Sequence, residues 1–185
     1  MPDYRRNYVP GGTYFFTVVT HERRPILTTS AGRKCLGDAL REVQAKRPFE
    51  VVGIVLLPDH LHTVWTLPAG DDRYSLRWAE VKEKSTRKYL GQGGQEATLT
   101  RSRRWHRERA VWQRRFWEHT CDDERELSRC LDYLHWNPVK HGLVRRLEDY
   151  PWSSFHRYVQ MGEYPPGWGA VDPCPGYDSP EWVGE

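Results

Sequence analysis

A chain of 185 residues with 38% hydrophobic, 29% charged and 13% aromatic residues and a net charge of only +3 is too apolar to stay disordered, too polar to sit in a bilayer, and sized for one core. No apolar run approaches the roughly 20 residues that span a membrane, and no apolar export segment follows the opening Met1-Pro-Asp-Tyr-Arg-Arg. The cysteines Cys35, Cys121, Cys130 and Cys174 form no C-x-x-C pair, which suggests neither a zinc ribbon nor a disulfide framework and fits a reducing cytoplasm.

After Gly11-Gly12, the β-branched and aromatic run 13–20 predicts a first strand, broken by His21-Glu-Arg-Arg-Pro25. Cys35, Leu36, Ala39, Leu40 and Val43 recur at helical spacing, so a helix should run from Ser30 and stop before Pro48. Residues 49–57 form a nearly continuous apolar run of strand length, expected to be buried on both faces or nearly so. Pro58-Asp59 turns the chain into a strand over 60–67, which must be antiparallel because so short a link cannot make a parallel crossover. These two strands are expected to form a central hairpin.

Residues 75–90 read as a surface helix with a basic face, ended by Gly91-Gln-Gly-Gly94, and 95–110 as a mobile basic loop. The fourth strand is expected over 111–119. Asp122 or Asp123 should cap a last helix running to about Trp136, with Leu127, Leu131 and Leu134 buried, and Pro138 should end it. Strand, helix, strand, strand, helix, strand, helix fits an α+β, ferredoxin-like split βαβ antiparallel sheet with helices on its faces. Residues 1–145 would be the working domain. Residues 146–185, rich in Pro, Gly and Trp, would be a C-terminal extension packed on it, pinned by tryptophans such as Trp152 and Trp168.

Charge is unevenly placed. Residues 73–115 hold 13 Lys and Arg against 4 Asp and Glu, whereas 147–185 hold 1 against 7, so the middle of the chain points to a polyanionic partner. Lys82, Lys84, Arg87 and Lys88 lie on the predicted helix. Arg101, Arg103, Arg104, Arg107 and Arg109 interleave with Trp105 and Trp112 in the loop. Cations track phosphates and indoles offer stacking platforms for unpaired bases. The plainer reading makes the arginines a solvated surface and Trp112 a core residue.

Two constellations carry chemistry. His60 and His62, at i and i+2 of a strand, share a face and could grip one metal ion, although two ligands do not complete a site and an H-x-H triplet also arises by chance. Tyr133 and Asn137, at i and i+4, share a helix face beside the leucine stripe, and the Asn amide oxygen is a possible ligand, whereas a tyrosine here could equally be core.

Taken together, Pro58-Asp59-His60-Leu61-His62, Trp112-Gln-Arg-Arg-Phe116, Tyr133 with Asn137, Asn137-Pro-Val-Lys-His-Gly-Leu-Val144 and Tyr150-Pro-Trp-Ser-Ser154 resemble REP-associated tyrosine transposases, a branch of the single-tyrosine HUH transposases. The resemblance runs from about Gly11 to about Tyr158. It implies that Tyr133 attacks a DNA phosphodiester to leave a 5′-phosphotyrosine and a free 3′-OH, that His60, His62 and Asn137 bind a divalent metal, Mg²⁺ or Mn²⁺, and that the partner is single-stranded or hairpin DNA of REP type. It also implies a monomer, with a dimer the open alternative, working in the cytoplasm on the nucleoid without a membrane. It gives no role to His119, His135 or His141, which read as surface or packing residues. Two other readings remain: a non-catalytic binder of structured nucleic acid on a ferredoxin-like sheet, which lacks a Gly-Phe-Gly-Phe type run here, and a metal-dependent phosphodiesterase that uses water and forms no covalent adduct.

Overall fold

The computed structural model describes residues 6–165 and 167–169; Cys174 and the rest of 170–185 lie outside the described residues. Four strands, β1 (Thr13–Val19), β2 (Glu50–Leu56), β3 (His60–Thr66) and β4 (Trp117–Cys121), form one antiparallel sheet in the order β2-β3-β1-β4. Helices α1 (Ser30–Lys46), α2 (Tyr74–Gly91), α3 (Arg101–Trp105), α4 (Glu124–Lys140) and α5 (Phe155–Gln160) complete the split βαβ arrangement.

The sheet divides two cores, and strand alternation assigns each residue to one of them. Tyr14, Phe16, Val18, Leu61 and Trp65 join Leu36, Val43, Trp78 and Val81 under α1 and α2. There Trp65 stacks on Trp78 with ring centroids 4.2 Å apart, and each such side chain, fully buried, contributes roughly 1.5–3 kcal/mol. On the other face Phe15, Val55 and Val64 meet Cys130, Leu131, Tyr133 and Leu134 of α4. With helices on both faces, β3 is buried along nearly its whole length. Helix α4 settles close onto β2 at Gly53, where a Cβ would stand 2.6 Å from Leu131 Cδ2. Asp123 caps α4 by accepting from Glu126 N at 2.7 Å.

Several boundaries differ from expectation. The hairpin of β2 and β3 is not central: β3 pairs with β1, and β2 lies outermost of the named strands, with only Gly53 and Val55 buried in it. Residues 152–154 cover that edge, Leu56 N donating to Trp152 O at 2.9 Å and Ser154 N to Ile54 O at 2.8 Å. The fourth strand starts at Trp117, because Trp112 turns inward and makes a single bridge to Thr20. The basic loop contains a short helix, α3, capped by Thr100 Oγ1 accepting from Arg103 N. Helix α4 continues through Pro138 to Lys140. Proline there removes a single donor from the final turn, and burial of Leu134, Asn137 and Pro138 holds the turn helical. In the C-terminal segment Trp168 stacks on Tyr164 at 4.2 Å and near Phe155 at 5.9 Å, thus within its own segment and not on the sheet. Cys35, Cys121 and Cys130 are buried free thiols.

Candidate active site

Strand β3 presents His60 and His62 on the α4 side of the sheet, their ring centroids 4.9 Å apart. His60 Nδ1 donates to the Asp59 carboxylate at 2.6 Å, which keeps that ring's proton on Nδ1 and its Nε2 lone pair available. His62 Nδ1 meets Thr17 Oγ1 at 2.9 Å. Burial pushes both imidazoles below their ordinary range; the Asp59 carboxylate opposes this at His60, while the charges of His60, His141 and Lys140 add to it at His62. Both rings are therefore neutral near pH 7, the form in which imidazole ligates a metal.

Helix α4 brings Tyr133 and Asn137, one turn apart, onto the same place. The Tyr133 ring meets His62 edge-on at 5.4 Å and Phe15 at 5.8 Å. Both α4 residues are fully buried, so Tyr133 belongs to the core as well as the site; it does not stand clear of the apolar stripe, because β1 and β3 wrap the α4 face more widely than the leucines alone mark out. Asn137 Nδ2 donates to the Tyr133 carbonyl at 2.8 Å, which fixes the amide and leaves Oδ1 over, with the amide beside His62.

His62 Nε2 and Asn137 Oδ1 are both buried and have no hydrogen-bond partner outside this pair, the amide lying close enough to interact with the imidazole. Each such atom costs about 1–3 kcal/mol, and one imidazole nitrogen beside one amide oxygen is a donor pair suited to a divalent cation of intermediate hardness. The residues fit a metal on that ground. Among the described residues no group of three or more His, Cys, Asp or Glu converges as a metal site, so an ion here would need the Asn137 amide.

Two residues of the site had no role in the sequence reading. Lys140 Nζ donates to the Tyr133 hydroxyl at 3.4 Å and lies 4.9 Å from the centre of its ring. The available signal was spacing: seven residues are two helical turns, so Lys140 shares the Tyr133 face. His141 packs its ring 5.2 Å from that of His60. The other two histidines have partners elsewhere, His119 with Glu126 at 2.5 Å and His135 with Tyr164 and Ser154.

The basic candidates sort differently. Lys82 donates to the carbonyl of Gln113 at 2.9 Å and burial pulls it down to about 8. Lys84 and Lys88 pair with Glu42 of α1, and Arg87 with Glu83 of its own helix. Arg103 is buried, donating to the carbonyls of Arg109 and Trp112 and meeting His21 Nδ1 at 3.2 Å. Arg109 pairs with Glu96. The side chains of Arg101, Arg104 and Arg107 are exposed. Trp105 is 83% exposed whereas Trp112 is 6% exposed, its indole N–H donating to Ser85 Oγ at 3.1 Å. Between α2 and residues 103–114 lies a cavity of about 620 Å³ whose lining includes Lys82, Arg87, Arg107, Arg114 and Trp112.

Comparison with known proteins shows the family of the chain. The family model described as "Transposase IS200 like" matches residues 8–137. A REP-associated tyrosine transposase of Escherichia coli K12 is 41% identical over 91% of this chain and 91% of its own length, and a relative from Haemophilus influenzae is 41% identical over 91% of this chain and 94% of its own. A solved structure of a REP-associated tyrosine transposase bound to a REP hairpin superposes with a TM-score of 0.76 at 40% identity, covering 93% of this chain and 94% of the other.

Proposed function

We propose a strand-transfer mechanism for this chain, which belongs to the IS200-like transposase family and, within it, to the REP-associated tyrosine transposases. The observation that carries it is the meeting of Tyr133 with the two ligand atoms His62 Nε2 and Asn137 Oδ1, which have no hydrogen-bond partner outside their own pair.

The Tyr133 hydroxyl oxygen attacks a DNA phosphorus in line. The new bond is Tyr133 Oη to phosphorus, the bond broken is phosphorus to the 3′ oxygen, and the phenolic proton is lost while the 3′ oxygen gains one. A 5′-phosphotyrosine and a free 3′-OH result, and attack by a 3′-OH on the phosphotyrosine reverses the step without ATP. Tyrosine is a weak nucleophile at its ordinary pKa of about 10, and the Lys140 ammonium at its oxygen favours the phenolate. Mg²⁺ or Mn²⁺ held by His60, His62 and Asn137 would neutralise charge on the non-bridging phosphate oxygens. Because Tyr133 is shielded from solvent in this conformation, the phosphodiester reaches it only after local opening.

The substrate under this reading is single-stranded or hairpin DNA of REP type, as in the related structure with its REP hairpin. The exposed cations Arg101, Arg104 and Arg107, with Trp105, would meet phosphates and an unpaired base. The covered β2 edge favours a monomer, and among the described residues no helix is long and apolar enough to cross a membrane, in keeping with work on chromosomal DNA in the cytoplasm. The test is incubation with single-stranded REP-containing DNA and Mn²⁺, followed by denaturing electrophoresis. A protein–DNA adduct that Tyr133→Phe abolishes is expected. Tight binding without an adduct would favour a non-catalytic binder, and cleavage without an adduct a water-using phosphodiesterase.

A further inference from the structure

Between β1 and α1 the backbone does something residues with side chains avoid. Glu22 and Arg23, consecutive and neither a glycine, take left-handed φ angles of 56° and 50°. Such outliers persist only where surrounding structure over-determines them, and they cluster at functional sites. Here the fixing bonds run to Asp59, Arg24 and Val111. Thr20 N and Thr20 Oγ1 both donate to the Asp59 carbonyl at 2.8 Å, Thr20 Oγ1 also reaches the Arg24 carbonyl at 2.8 Å, and His21 N donates to Val111 O at 2.9 Å. The turn so held aims Arg23 at the Asp59 carboxylate, Nη1 to Oδ2 at 3.1 Å. The other carboxylate oxygen, Oδ1, accepts from His60 Nδ1 at 2.6 Å. Asp59 is thus bound at its carbonyl by Thr20, at one oxygen by Arg23 and at the other by His60.

We infer that Arg23 and Asp59 are positioning residues for the metal ligand His60: the strained turn clamps the Asp59 carboxylate, which holds the proton on His60 Nδ1 and turns Nε2 toward the site shared with His62 and Asn137. This rests on the metal-binding role proposed above for His60. A carboxylate behind a ligating imidazole fixes both ring orientation and tautomer, and its loss typically weakens metal affinity 10- to 100-fold. The two limbs of the clamp differ: Arg23 reaches Asp59 from the surface, its side chain 55% exposed, whereas the side chains of His60 and Asp59 are 6% and 21% exposed, so little water is at hand to replace the Asp59–His60 bond. The strained backbone gives Arg23 its aim: a relaxed turn would carry the guanidinium elsewhere.

The experiment uses the full chain and Mn²⁺ alone as probe, with titration calorimetry for affinity and long-range ¹H–¹⁵N correlation spectra of the metal-free protein for the His60 tautomer. Asp59→Ala should weaken Mn²⁺ binding by about 10- to 100-fold and move His60 from a single Nδ1–H tautomer to a mixture. Asp59→Asn, whose Oδ1 can still accept from Nδ1–H but whose amide nitrogen cannot accept from Arg23, should restore the single tautomer and leave Mn²⁺ affinity between those of the wild type and Asp59→Ala. Arg23→Gly accepts the left-handed φ without strain but lacks the guanidinium. It should raise the melting temperature while lowering Mn²⁺ affinity, a split that a merely structural role would not produce. Wild-type affinity and a single His60 tautomer in Asp59→Ala would overturn the inference. If His60→Ala itself binds Mn²⁺ like the wild type, the metal reading of the site falls instead, and the tautomer spectra still decide whether the clamp sets His60.

Discussion

The two faces of the sheet differ in the kind of buried polar atom they leave over: under α1 and α2 these include the Trp65 and Trp78 indole N–H groups, which can only donate and cannot ligate a cation. Under α1 and α2, the buried Arg103 is matched by carbonyls and His21, and Lys82 by the Gln113 carbonyl. Under α4, His62 Nε2 and Asn137 Oδ1 are left without partners outside their own pair, a short distance from a buried tyrosine. Satisfied buried cations stabilise a fold, whereas unsatisfied ligand atoms cost stability and persist where a further group is to be met. On this contrast, we propose that the chemistry belongs to the α4 face and the grip on DNA to those cations of the other face that the fold leaves uncommitted.

The most severe break of the contrast is Tyr133→Phe, which leaves packing against His62 and Phe15 in place and removes only the hydroxyl. Cleavage and adduct formation should fall by roughly 10⁴-fold or more, while DNA affinity and melting temperature stay near wild type. Cleavage at the wild-type rate, read in single-turnover assays, would move the nucleophile elsewhere.

Next come the unpartnered atoms. His62→Ala should lose Mn²⁺ binding measured by calorimetry, and Asn137→Ala should weaken it less, because a neutral amide oxygen contributes less than imidazole. Equal, undiminished affinity in both variants would refute the role read from the missing partners.

A satisfied histidine on the same helix sharpens the comparison. His135 meets Tyr164 Oη at 2.8 Å on Nδ1 and Ser154 Oγ at 2.7 Å on Nε2, and Tyr164 Oη donates to Asp132 at 3.0 Å. Burial pulls its imidazole down to about 3. The unfolded chain binds that proton near the ordinary value of about 6.5, so the unfolded state is favoured increasingly as pH drops from there toward the folded value, and stability declines with acid over that window. Melting curves from pH 7 to pH 4 should show this decline, and His135→Phe should make it shallower while lowering the melting temperature at pH 7. An unchanged slope would mean that His135 does not remain neutral in the fold.

How much of this could be read from the sequence follows from what each signal measures. Alternation put His60 and His62 on one face, and helical spacing paired Tyr133 with Asn137, because both rules depend only on local geometry. The order of the strands was legible, but the place of the hairpin within the sheet was not, since pairing of β3 with β1 joins residues from Val19 and His60 out to Thr13 and Thr66, far apart in the chain. Lys84 and Lys88 looked like a free basic face until α1 set Glu42 beside them. Arg103 was indistinguishable in sequence from Arg101 or Arg104, for which of a run of arginines turns inward is decided by carbonyls elsewhere in the fold. Trp105 and Trp112 separated as expected, the first exposed and the second walled in.

The smallest effects test the DNA-binding half of the contrast. Arg103→Ala strips donors from buried carbonyls and should cost about 1–3 kcal/mol of stability, seen as a lower melting temperature. The triple variant Arg101→Ala, Arg104→Ala, Arg107→Ala touches exposed side chains and should leave melting unchanged. Its binding to blunt and flanked hairpins should weaken alike, and each lost phosphate contact should flatten the dependence of log K on log salt by roughly 0.7–0.9. Trp105→Ala should differ again, costing about 1–3 kcal/mol of binding only where an unpaired base is present to stack on the indole. Salt titrations on a blunt hairpin and on the same hairpin with a single-stranded flank separate the three. If the triple variant keeps the wild-type slope on both DNAs, exposure has not marked the contacts, and the grip must use cations now paired within the fold, such as Arg87 and Arg109, whose carboxylate partners would have to exchange for phosphate on binding.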